Sequence, residues 1–78
     1  MSQIKGWRKV QKEKNSIVWK NEKSGVIVEV QSAINFDRER IWKIEFIQNR
    51  TVHGRKVFKT KTNALKFARS WMKRHPRG

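Results

Sequence analysis

The sequence predicts an α+β fold: an antiparallel sheet of about four to five strands, with one C-terminal helix packed on one face. Three observations carry that expectation. Apolar residues alternate with a period of two through residues 26–31 and 40–48, as strands require. They recur at helical spacing through residues 64–72. The strand-like segments all precede the helix, an order that suits an antiparallel sheet with a helix on one face.

The elements follow in chain order. Residues 7–12 alternate weakly around Trp7 and Val10 and read as a first short strand. Ile17-Val18-Trp19-Lys20 is β-branched and aromatic, which suits a second. Asn21 to Gly25 is a turn cluster, with Gly25 able to take positive φ. Val26 to Gln31 returns as a strand with Val26, Val28 and Val30 on one face. Residues 32–40 read as a polar connection, and Arg40 to Gln48 as a strand with Trp42, Ile44 and Phe46 on one face. The loop Asn49 to Gly54 supplies turn residues, and Arg55 to Thr60 returns. Thr60 is the expected N-cap of the helix, with Thr62 the alternative. Ala64, Leu65, Ala68, Trp71 and Met72 make one helical stripe with Phe67 beside it, and Pro76 stops the helix. The expected core is Val26, Val28, Val30, Trp42, Ile44 and Phe46 against Leu65, Ala68, Trp71 and Met72. The other sheet face would carry Lys43, Glu45 and Lys59 among a few aliphatics, open to solvent or a partner.

Length and charge bound the function. The 78 residues suffice for a single domain, 1–78. The chain has no cysteine, which removes disulfides, thiolate metal sites and cysteine nucleophiles and suits a cytoplasmic protein. Met1-Ser2-Gln3-Ile4-Lys5 leads into no apolar signal segment, and no apolar run approaches a membrane span, so a membrane partner is not expected. Twenty Lys and Arg face six Asp and Glu, a formal net charge of +14. Such a chain repels itself unless a polyanion gathers on it, and nucleic acid is the commonest cellular polyanion. A thermophile-like basic surface would balance its Lys with Glu, and this one does not.

The charge is also segregated. All six acids lie between Glu13 and Glu45. Ten Lys and Arg and no acid lie from Phe46 onward, and Lys5, Arg8, Lys9 and Lys12 precede the first acid. Charge asymmetry of this kind points to a binding face. The expected nucleic-acid contacts are Arg50, His53, Arg55, Lys56, Lys59 and Lys61 on the second hairpin and its run into the helix, and Lys66, Arg69, Lys73 and Arg74 along the helix. Arg8, Lys9 and Lys43 add to them. Density of this order pairs with several phosphates and releases their counterions. Arg50 and Arg55 flank the turn, where a planar fork can enter a groove. Of the four tryptophans, Trp42 and Trp71 fall on expected core faces. Trp7 and Trp19 are divided between the core and stacking on bases.

Enzymatic motifs are missing. His53 and His75 are far apart in sequence and few carboxylates accompany them, so no metal site and no cofactor are expected. There is no phosphate-binding glycine motif and no nucleophile elbow. Asp37 and Glu39 lie beside Arg38 and Arg40, which reads as a solvated loop with local ion pairs rather than an acid–base pair.

Residues 41–71, IWKIEFIQNRTVHGRKVFKTKTNALKFARSW, resemble the three-stranded-sheet-plus-helix DNA-binding domains at the N-termini of tyrosine recombinases. Trp42, Gly54-Arg55-Lys56, Phe58, Thr60 and the Ala64-Leu65-x-x-Ala68 helix start carry the resemblance, over about 40% of the chain. It implies a sheet that enters the major groove with a helix packed behind it, here as a free-standing module. The order of elements is also similar to that of PC4-like single-strand binders, which implies a homodimer as an option. The ending Phe58 to Met72 resembles small basic archaeal proteins of unassigned function.

The expectation is therefore a non-enzymatic nucleic-acid-binding protein, DNA (duplex or single-stranded) favoured over RNA, that contacts phosphates with low sequence selectivity. Its location would be the cytoplasm, on the nucleoid if the partner is DNA. The alternatives are an RNA-binding or ribosome-associated protein, an adaptor for an acidic protein partner and a metal-dependent nuclease.

Overall fold

The computed structural model describes residues 4–78; Met1 to Gln3 of the basic N-terminal segment lie outside them. β1 (Trp7–Glu13), β2 (Ser16–Asn21), β3 (Ile27–Ile34), β4 (Arg40–Gln48) and β5 (Thr51–Phe58) pair in chain order into one antiparallel sheet, and α1 (Lys61–Arg74) follows. Every neighbouring pair is joined by a hairpin, as the order of elements in the sequence requires.

One face of the sheet meets the helix. Paired residues share a face, so the register assigns Trp19, Val28 and Phe46 to one row and Ile17, Val30 and Ile44 to the next. Val28, Val30, Ile44, Ala64, Ala68 and Met72 have no exposed surface. Ala64 and Ala68 are small enough to bring the helix axis close to the sheet. The longer Leu65, Phe67 and Trp71 splay to either side and pack against the core edge. Thr60 caps the helix as its sequence predicts: its hydroxyl accepts from the Asn63 N–H at 3.2 Å. The helix stops at Arg74, before Pro76.

Sheet and helix are also tied where the chain ends. Asn21 is 1% exposed, and its Oδ1 accepts from the Lys23 and Ser24 N–H groups at 2.9 Å each. Its Nδ2 donates to the Pro76 carbonyl at 3.0 Å, and Trp7 Nε1 donates to the His75 carbonyl at 3.0 Å. A buried carboxamide with its partners satisfied is a specific latch, because its loss strands several backbone groups at once. Gly6, at φ +84°, completes the latch: a Cβ there would collide with the Pro76 carbonyl.

The structure moves two sequence-predicted boundaries. β3 runs on to Ile34, so the polar connection shrinks to Asn35–Glu39. There the Asn35 side chain accepts from the Asp37 and Glu39 N–H groups, both at 3.0 Å, and replaces a longer loop. The second hairpin turns on Asn49 and Arg50 alone, at φ 52° and 65°, and not over Asn49 to Gly54. Two consecutive positive φ values match the twist of the flanking strands. Gly54 is a strand residue facing Phe46; a Cβ on it would lie 3.3 Å from the Phe46 ring. His53 is the unpaired residue of a bulge.

Candidate nucleic-acid interface

The strand register sorts the charges onto two sides. On the side away from the helix, Arg8 pairs with Lys20, Glu29 with Glu45, Glu45 with Arg55, Gln31 with Lys43 and Glu13 with Ser16. That open side therefore holds four cations and three acids. Arg55 is held flat by Glu45, with Nε and Nη2 donating to the same carboxylate oxygen at 3.1 and 2.8 Å. Val18, Ile27, Ile41, Ile47, Val52 and Val57 fill the rest of this face.

The helix side carries Lys9 and Lys12 of β1, Arg40 of β4, Lys56 of β5, and Lys61, Lys66, Arg69, Lys73 and Arg74 of α1. No acid lies among them. Glu13, Glu29 and Glu45 are on the open side, Glu22 is in the β2–β3 turn, and Asp37 and Glu39 are in the β3–β4 turn. Lys66, Arg69 and Lys73 recur at i, i+3 and i+7 and form a stripe along the exposed side of the helix. With Thr62, Ser70 and Arg74 they line one shallow depression. Three lysines are laid over aromatic rings: Lys9 over Trp19, Lys56 over Phe67 and Lys61 over Trp42, each 5.5–5.6 Å from the ring centroid. Lys61 Nζ also donates to the Lys14 carbonyl at 3.3 Å.

The sequence-predicted contacts do not make one surface. Lys56, Lys61, Lys66, Arg69, Lys73, Arg74 and Lys9 come together on the helix side. Arg55, Lys43 and Arg8 point the other way, because alternate strand residues face opposite sides. Arg50 is in the β4–β5 turn, His53 is in the neighbouring bulge, and exposed Lys59 lies in the β5–α1 connection, off the sheet face expected for it. Trp7 and Trp19 are core residues, 2% and 4% exposed, and have no free ring face for a base. Trp42 is 7% exposed. Trp71 is packed between Phe46, Trp7 and the stacked His75 ring.

Sequence reasoning passed over two aromatic residues on the cationic side. Phe58 and Phe67 are half-buried, with ring centroids 5.4 Å apart and planes at 43°. Both sit beside lysines in the chain, as Lys56-Val57-Phe58-Lys59 and Lys66-Phe67, which is the signal that marks them. Among the described residues no group of three or more His, Cys, Asp or Glu side chains could hold a metal ion. No helix of the described residues is long and apolar enough to cross a membrane. No protein-family model, curated protein or solved structure matches this chain.

Proposed function

We propose that this protein is a non-enzymatic nucleic-acid-binding module whose contact surface is the helix side. The observation that carries the reading is the register: it leaves the nine cations of that side with no acid among them. Phosphates approaching from this side meet only positive charge, and each neutralised phosphate releases condensed counterions. Contacts of this kind position a protein on a nucleic acid without reading its sequence, so selectivity is low. DNA, duplex or single-stranded, is favoured over RNA on the sequence likeness of residues 41–71 to recombinase DNA-binding domains, not on their docking mode, and a cytoplasmic, nucleoid-associated location goes with that preference.

The sheet of those recombinase domains enters the groove, and here the two sides differ in the wrong sense for that. The open side places Glu29 directly opposite Glu45 at its centre, where a phosphate backbone would meet like charge. The helix side is the better complement.

Fluorescence anisotropy with labelled duplex DNA, single-stranded DNA and matched RNA tests the proposal. With about five phosphates contacted, log affinity for duplex falls against log salt with a slope of roughly −4 to −5. A flat salt dependence, or no binding at low salt, overturns it.

A further inference from the structure

We infer that the groove between the end of β5 and the flank of α1 is a stacking site for an unpaired nucleobase, so the protein prefers single-stranded to duplex nucleic acid. The inference rests on the nucleic-acid-binding reading above and deepens it. Phe58, Asn63, Lys66, Phe67 and Ser70 line the groove. The two phenylalanine rings pack against the core from below, and both remain partly exposed. Packed against each other at this spacing and tilt, the two rings form one aromatic floor.

The surroundings define the occupant. Lys56 Nζ lies over the Phe67 ring, 5.6 Å from its centroid, so a base stacks on that face as the flexible lysine swings aside to a phosphate, and Lys66 is on the groove wall. An aromatic floor with one lysine over it, a second on its wall and no acid on its side of the molecule suits a flat π-system carried on an anionic backbone. The Asn63 carboxamide and the Ser70 hydroxyl offer donors and acceptors to the edge of a seated base. A base inside a duplex is stacked on both faces and cannot enter; an unpaired base can. Every base has a π-face, so stacking here adds affinity without adding sequence selectivity.

The remaining exposed aromatic offers a contrast. Phe36 is fully exposed in the β3–β4 turn, but Asp37 and Glu39 follow it there. Arg38 and Arg40 alternate with those acids, so the turn has no net positive charge to hold a phosphate backbone, and Phe36 is the natural control.

The test compares the whole protein with Phe67→Leu, Phe58→Leu and Phe36→Leu by anisotropy on oligo(dT), oligo(rU) and a DNA duplex of equal length. Leucine keeps the apolar burial and removes the ring face, and thermal melts verify the fold of each variant. Single-strand affinity is expected to fall about 5- to 160-fold for Phe67→Leu and Phe58→Leu, the range for one lost base stack. Duplex affinity, salt slope and the Phe36→Leu variant should be unchanged. The deoxy and ribo arms show which sugar the site accepts. As a measurement independent of any variant, an oligonucleotide carrying 5-iodouracil should photocross-link within 58–70. If the wild type binds every oligonucleotide with the expected salt slope but the variants lose nothing on single strands, the stacking site is refuted and the phosphate-binding reading stands. Equal losses on duplex and single strand refute it too, as a purely structural role for the rings. Absence of binding to any oligonucleotide refutes both, and leaves the groove to an apolar side chain of a protein partner.

Discussion

Two variants with the same charge change separate the two sides of the sheet. One carries Lys66→Gln, Arg69→Gln and Lys73→Gln on the exposed side of α1; the other carries Arg8→Gln, Lys20→Gln and Lys43→Gln on the open side. Each removes three charges from a formal +14, so nonspecific loss of attraction is equal in both. Gln has nearly the helix propensity of Lys and Arg, so α1 should keep its stability. If the wild type contacts about five phosphates, its slope is about −4.5, and its affinity drops about 500-fold between about 50 and 200 mM salt. Removing three of those contacts leaves a slope of about −1.8 and a drop of only about 12-fold over the same range. The open-side variant should keep the slope of about −4.5. Anisotropy titrations at four or five salt concentrations measure each slope directly. Equal slopes in the two variants, or a larger change in the open-side variant, would refute the assignment of the interface to the helix side.

Three further outcomes concern the scaffold. Asn21→Leu strands the Lys23 and Ser24 N–H groups and the Pro76 carbonyl; it should cost about 2–4 kcal/mol and lower the midpoint of thermal unfolding by roughly 10–25 °C. Gly6→Ala combines a left-handed φ of +84° with a collision at the same carbonyl. A loss of at least about 2 kcal/mol in a urea titration is expected, and a neutral result would mean that the C-terminal latch does not form. Arg50→Gly relieves a φ of 65° in the two-residue turn. It should stabilise by about 0.5–1 kcal/mol in the same titration, although it removes a cation.

The sequence by itself determined the class of fold and the charge, because both are local or additive properties. Period-two alternation around Val26, Val28 and Val30 marks a strand with one buried face wherever the strand ends up. The Ala64–Met72 stripe with its Thr60 cap marks a helix in the same way. Net charge needs no structure at all. The segregation of acids into the stretch from Glu13 to Glu45 was equally plain, but its meaning was not.

Tertiary structure alone decided which cations stand together. Side chains alternate across a strand, so a shift of one residue in register exchanges the two sides. No composition argument could tell that Lys56 joins Lys66 and Arg69 while Arg55 turns away to Glu45. The same holds for Trp7: its neighbours in the chain are basic, but its indole is buried by residues nearly seventy positions away, at the end of the helix. Gly54 looked like a turn residue because glycine is common in turns. It serves instead as the space that Phe46 needs, a requirement imposed by the neighbouring strand and not by its own segment. Contacts between distant residues set these features, and a single strand or helix carries no record of the partner it will meet.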